Sequence, residues 1–179
     1  MVYMLLGTGF EETEAIAPLD LLRRAGVEVL TVGVTGKTVF GSHNIGIEAD
    51  ITIDQMDLTA LEMIILPGGL GGVASARASK EAMDALAFAW QNDKFVAAIC
   101  AGPTVLADLN ITDGKNATCY PGLEKRRTGA NYVELPVVSD GNIITAKGMG
   151  VAFEFGLELV RVLKDDDTAE KIKASVFAK

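Results

Sequence analysis

The chain has 179 residues, 49% of them hydrophobic and 22% charged, which suits one soluble globular domain spanning residues 1–179 with a full core. Its net charge of -8 argues against nucleic acid and anionic membrane as partners, and the one basic cluster, Lys125-Arg126-Arg127, reads as a solvated loop. Two cysteines without a secretory signal indicate reduced thiols, and no apolar run approaches the ~18 residues of a membrane span, so a cytoplasmic location is expected.

Val2 to Leu6 is an apolar run closed by Gly7 and predicts a first strand. Glu12 to Ala25 has helical spacing, with Ile16, Leu19 and Leu22 on one stripe, and Gly26 stops it. Val27 to Val34 is a second strand. Lys37 to Phe40 and Ile45 to Ala49 flank a Gly-Ser-His-Asn turn and predict a small hairpin on the edge of a sheet. Met63 to Leu66 is a buried strand that ends in Pro67-Gly68-Gly69. Ser79 can cap a helix reaching Asn92, with Ala82, Leu86, Ala89 and Trp90 on its apolar face. Phe95 to Ile99 is a further buried strand running into Cys100, and Gly102 to Leu109 is helical in pattern. Val137 to Ser139 and Asn142 to Ala146 flank Asp140-Gly141, a two-residue hairpin signal. Helices are expected over Val151 to Leu163 and Thr168 to Phe177.

Runs such as MIIL and FVAAI are apolar throughout, as strands buried on both faces of a parallel sheet are. Their alternation with helices predicts a three-layer α/β/α sandwich, flavodoxin-like in kind, with a mostly parallel sheet. Active sites of such folds lie beyond the carboxyl ends of the strands. That directs attention to Gly7-Thr8-Gly9, to Pro67-Gly68-Gly69 and to Cys100.

Ala98-Ile99-Cys100-Ala101-Gly102 has the form of a nucleophile elbow. A strand that reverses sharply into a helix strains its central residue and needs small neighbours two positions to either side. The helix N-terminus then points amides at the sulfur, which favours a thiolate. Against this stands the common fate of cysteine as a small buried hydrophobe. The run Pro67 to Gly72 is either a flexible turn or an oxyanion hole, because glycines let backbone N–H groups face a carbonyl unobstructed. No Gly-Lys-Ser/Thr follows it, so a phosphate loop fits poorly. Glu11, Glu12 and Glu14 open the first helix and complement its dipole. A carboxyl beside a thiolate would be protonated, since two anions in contact raise the pKa of one. The single histidine, His43, falls in the predicted hairpin, and Ala101 follows the cysteine. A Cys-His protease is therefore disfavoured, and no Cys/His cluster has metal-ligand spacing, so neither metal nor cofactor is expected.

These residues resemble the DJ-1/ThiJ/PfpI superfamily, its DJ-1 branch above all. Gly9-Phe10-Glu11-Glu12-Thr13-Glu14 is similar to that branch's G-x-E-E-x-E. Leu66-Pro67-Gly68-Gly69 and Ala97 to Pro103 resemble its two glycine-flanked loops, and Arg23 to Gly26 and Gly148 to Phe155 resemble further stretches. The resemblance implies a homodimer, with Glu11, Arg24 and His43 near its interface. It also implies a reactive Cys100, a protonated Glu14 beside it, and an oxyanion or substrate site at Gly68, Gly69, Ala101 and Tyr120. The activities it implies are conversion of 2-oxoaldehydes such as methylglyoxal to hydroxy acids, deglycation of protein adducts, peroxide sensing through a sulfinic acid, stress-chaperone holding and, in the broader superfamily, peptidase or amidase action. Its partners would be a small carbonyl compound or a glycated protein. The chain departs from the pattern at Thr118-Cys119-Tyr120-Pro121, where better-known members carry histidine in T-x-H-P. A phenol, with an ordinary pKa of about 10, is a poor base at neutral pH, though it can donate a hydrogen bond. Cys119 is either a structural thiol or a second redox cysteine. Lys147 and Met149 stand where Arg and Pro are usual, which weakens an anion pocket near the thiol, and His43 replaces a usual Arg.

Overall fold

The computed structural model describes residues 1–126 and 129–178, so Arg127 of the basic cluster lies outside the described residues. In chain order the strands are β1 (Val2–Leu6), β2 (Val29–Gly33), β3 (Thr38–Phe40), β4 (Gly46–Glu48), β5 (Ile51–Thr52), β6 (Met63–Leu66), β7 (Phe95–Ile99), β8 (Asn116–Ala117), β9 (Asn131–Tyr132), β10 (Val137–Asp140) and β11 (Ile143–Ala146). The helices are α1 (Glu12–Arg24), α2 (Leu70–Ala78), α3 (Lys80–Gln91), α4 (Pro103–Asp108), α5 (Ala152–Leu163) and α6 (Asp166–Ser175).

Seven strands form one sheet in the order β10-β11-β7-β6-β1-β2-β5. Every pairing in it is parallel except β10 with β11. Helices cover both faces, which is why the central strands are apolar on both sides. One core layer joins α1, α5 and α6 to Met4, Leu6, Met63, Ile65, Ala97 and Ile99. The other joins α2, α3 and α4 to Tyr3, Leu5, Ile64, Leu66, Val96 and Ala98. Successive residues of β1, β6 and β7 thus alternate between two cores, and both are apolar. The α/β/α sandwich is as expected.

Four local expectations are corrected. Leu70-Gly71-Gly72, read as loop, is the first turn of α2. The β3–β4 hairpin is a separate two-stranded sheet, and the edges of the main sheet are β5 and β10. The β10–β11 turn is centred on Gly141-Asn142, because Asp140 pairs directly with Ile143 and the positive φ falls on Gly141 (67°). Ile16 is 38% exposed, and the buried stripe of α1 runs through Ala15, Pro18, Leu19, Leu21 and Leu22. No helix among the described residues is long and apolar enough to cross a membrane.

Candidate active site

Three chain segments meet at the carboxyl ends of β1, β6 and β7. The parallel register aligns these ends, so the loops that follow the strands converge. Cys100 follows β7 and has φ of 64°, a left-handed conformation that costs a non-glycine residue energy. The conformation is held from both sides. The Cys100 amide donates to the Ala146 carbonyl at 2.9 Å, and the Tyr120 amide donates to the Cys100 carbonyl at 2.9 Å. The elbow's small residue at Gly102 is required by contact: a Cβ there would lie 2.7 Å from the Leu66 carbonyl oxygen. Pro103 opens α4, where its missing N–H costs nothing.

Glu14 reaches the sulfur from α1. Its side chain is buried, and its Oε2 accepts the Gly68 amide at 3.0 Å. The Met149 amide and the Cys100 thiol also hydrogen-bond to it. Burial is the largest influence on this carboxyl and raises its pKa from 4.5 to about 7, with Glu11 adding to the rise. The thiol is pushed up to about 12, first by burial and then by the charge of Glu14. The amides of Ala101 and Gly69 face the sulfur and pull the other way, but more weakly. The expected pull of the amides toward a thiolate is present, but burial and Glu14 outweigh it. Among the described residues no cation lines the cavity over Cys100, and the pocket disfavours two negative charges at once. Cys100 and Glu14 thus titrate as a pair that keeps at least one proton at neutral pH.

Gly68 sits against both members of this pair. A Cβ on it would lie 2.4 Å from Glu14 Oε2 and 2.6 Å from Cys100 Cβ. Beside it, Gly69 (φ 87°) carries the chain into α2. A cavity of about 300 Å³ opens over the sulfur and is lined by Glu11, Gly69, Leu70, Cys100, Ala101, Tyr120 and Leu123. Of the residues singled out from sequence, Cys100, Glu14, Gly68, Gly69, Ala101 and Tyr120 are brought together. Glu11 also lines this cavity, and its carboxylate caps α1 by accepting the Glu14 amide at 2.7 Å.

Arg24 and His43 are not part of this cluster. Arg24 pairs with Asp20 at 2.6 Å at the far end of α1. His43 caps the buried carboxylate of Glu12: its amide donates to Oε1 at 2.7 Å and its Nδ1 lies 2.9 Å from Oε2. Burial pushes Glu12 up, but the hydrogen bonds from His43 and Ser42 outweigh it and hold the carboxyl at about 2. Glu12 was read only as a dipole complement, and the partner that explains its burial comes from a turn 31 residues away. The same turn brings ligand atoms of Glu11, Glu12 and His43 within 4.8 Å of one another, a grouping that sequence spacing does not reveal.

Cys119 is buried and faces a different cavity, of about 170 Å³, which it lines with Glu124, Tyr132 and Lys147. Burial, then the charge of Glu124, pushes its thiol up to about 11. Leu70, Leu123 and the Met149 amide are site components that sequence reasoning missed. Leu70 lay inside a run read as loop, and a backbone amide leaves no mark in a sequence.

The family model described as DJ-1/PfpI family matches residues 1–162. The chain is 36% identical over 172 residues to the protein dj-1beta of Drosophila melanogaster, covering 94% of this chain and 92% of that protein. It is 28% identical over 165 residues to a deglycase of Pyrococcus horikoshii, covering 91% and 99%. Among solved structures, oxidized Toxoplasma gondii DJ-1 superposes with a TM-score of 0.95 at 31% identity, covering 99% of this chain and 97% of that one.

Proposed function

We propose that this chain, which belongs to the DJ-1/PfpI family, is a cysteine-dependent, cofactor-free enzyme acting on small reactive carbonyls. The observation that carries the reading is the buried Glu14 carboxyl hydrogen-bonded to the Cys100 thiol beneath an open cavity, with the Gly69 and Ala101 amides facing the sulfur. The deglycase name of the Pyrococcus relative points the same way.

Glu14 takes the thiol proton, and the resulting thiolate adds to the aldehyde carbon of a 2-oxoaldehyde, forming a C–S bond. The oxygen of the hemithioacetal is met by the amides that faced the sulfur and takes that proton from Glu14, which leaves the carboxylate free to act again. Glu14, or a water beside it, moves the C1 proton to C2 through an enediol, which leaves a thioester of the 2-hydroxy acid. Tyr120 can donate a hydrogen bond to the second oxygen. Water then cleaves the thioester, the hydroxy acid departs, and the thiol is restored. One water is consumed, one proton released, and oxidation at C1 balances reduction at C2, so no redox cofactor is needed. Conversion of methylglyoxal to lactate tests this. Wild type should turn over and Cys100→Ala should not; equal rates would overturn the reading.

A second reading, peroxide sensing, is favoured by the acid beside the sulfur, raised to about 7, whose protonated form can donate to a sulfinate, and by the oxidized state named for the Toxoplasma structure. Peptide hydrolysis lacks support, because the one histidine of the chain is engaged by Glu12. The assembly we propose is a homodimer. Ile16, on the helix that carries Arg24, is exposed together with Ile45 of the β3–β4 turn and Phe153 of α5 along a groove that Glu12 also lines. Light scattering should return twice the 18.9 kDa chain mass, and a monomer would exclude it.

A further inference from the structure

The cavity over Cys100 has a polar floor and an apolar rim. The floor is the sulfur with the amides of Gly69 and Ala101. The rim is Leu70, Tyr120 and the half-buried Leu123, with Leu70 76% and Tyr120 54% exposed. Isolated surface leucines are ordinary. These three differ in converging on one opening, where a bound group would take their faces out of water together.

Charge points the same way. Among the described residues Glu11 is the one carboxylate that lines the cavity, and Glu14 lies behind the sulfur. Among the described residues no Lys, Arg or His lines this cavity. Lys147 lines two other cavities, one of which shares Tyr120 with it, but not this one. A substrate carboxylate here would meet a negative Glu11 and a pair that already resists a second negative charge, with no cation to offset it.

Resting on the carbonyl reading above, we infer that Leu70, Tyr120 and Leu123 select 2-oxoaldehydes with an uncharged, apolar substituent and reject those carrying a carboxylate. The substituent lies against the rim while the aldehyde carbon reaches the sulfur. The rim thereby acts on KM and orientation, and Cys100 and Glu14 do the chemistry.

The test compares kcat/KM for methylglyoxal, phenylglyoxal and 4-carboxyphenylglyoxal with the full chain. Phenylglyoxal should exceed methylglyoxal by at least about tenfold, the low end of what one methylene is worth in an apolar pocket. The carboxylated analogue should fall at least about tenfold below phenylglyoxal, and Leu70→Lys should close most of that gap. Equal kcat/KM for the charged and uncharged aryl substrates would overturn the inference. If no 2-oxoaldehyde is turned over, the carbonyl reading fails, and alkylation of Cys100 decides the selectivity independently. N-benzyl iodoacetamide and iodoacetate would each be timed at Cys100 by mass spectrometry and normalised to their rates with glutathione. An approximately tenfold preference for the neutral aryl reagent, reduced in Leu70→Lys, upholds the inference; no preference overturns it.

Discussion

A methyl group on Gly68 would lie 2.6 Å from Cys100 Cβ, so the turn after β6 and the elbow after β7 touch with no room for a side chain. The same methyl would stand 2.4 Å from Glu14 Oε2. Gly68→Ala must therefore part the acid from the sulfur or move one of the two turns. We expect a stability loss of about 1–3 kcal/mol, the usual range for overpacking. Methylglyoxal turnover should fall at least about a hundredfold, because small misplacements of reacting groups cost that much. Urea unfolding and lactate assays measure the two; a fully active Gly68→Ala enzyme would contradict the geometry.

Glu14→Gln keeps the shape of the acid but cannot take the thiol proton. Turnover should drop about 100- to 10,000-fold, the typical contribution of a positioned acid or base. Retained activity would shift the base to water or to Tyr120.

Stability should depend on pH with opposite signs at two neighbouring glutamates. The folded-state pKa of Glu14 is raised from 4.5 to about 7, so in that window the unfolded chain has released a proton that the folded chain keeps. Raising pH through it therefore destabilises the fold relative to Glu14→Gln, by about 1–3 kcal/mol in all. Glu12 is depressed from 4.5 to about 2, so its contribution is present above 4.5 and is lost as pH falls toward 2. Denaturant midpoints of wild type, Glu14→Gln and Glu12→Gln across pH 3 to 8 would show the two slopes. A pH-independent difference for either variant would remove the shift on which its prediction stands.

The backbone strain at Cys100 is separable from its chemistry. Left-handed φ costs a residue with a Cβ about 1–2 kcal/mol, while glycine's extra chain entropy costs about 0.5–1. Cys100→Gly should thus be more stable than Cys100→Ala by about 0.5–1 kcal/mol, though both are inactive. Calorimetry of the pair decides it, and the reverse order would mean that the φ of 64° carries no strain.

Mild peroxide should add two oxygens to Cys100 and leave Cys119 unmodified. The two thiols open on different cavities, and the acid bonded to Cys100 is raised to about 7, so that it can donate to a sulfinate, whereas Cys119 has the charge of Glu124 beside it. Tryptic mass spectrometry reads both sites, and equal oxidation would argue against a specialised Cys100.

The sandwich and the elbow were legible because each rests on local pattern. MIIL and FVAAI announce two-sided burial, and Ala-Ile-Cys-Ala-Gly announces a crowded reversal. The glycines of α2 were misread because their reason lies elsewhere in the chain. A Cβ on Gly72 would lie 2.7 Å from Phe10 Cα, so the first turn of α2 needs glycine there to pack on the loop before α1. Ile16 was placed in the core by spacing alone, whereas the neighbouring layer decides which side of α1 is covered. The pairing of Glu12 with His43 joins residues 31 apart, a distance at which periodicity says nothing. Glu14 was identified as the partner of Cys100 by family resemblance, and three-dimensional placement supplied its burial and its bond to Gly68.

The hairpin tip between β3 and β4 looks like a site where foreign peptide could be spliced in. It is tied down instead. The Gly9 amide donates to the Phe40 carbonyl and the Ser42 amide to the Phe10 carbonyl, each at 2.8 Å, and His43 holds Glu12. Those bonds fasten the loop that launches α1, and α1 delivers Glu14 to the sulfur. An epitope tag or domain inserted at Ser42 to Asn44 would silence Cys100 from a distance, which makes this turn a remote handle for engineering the site on and off.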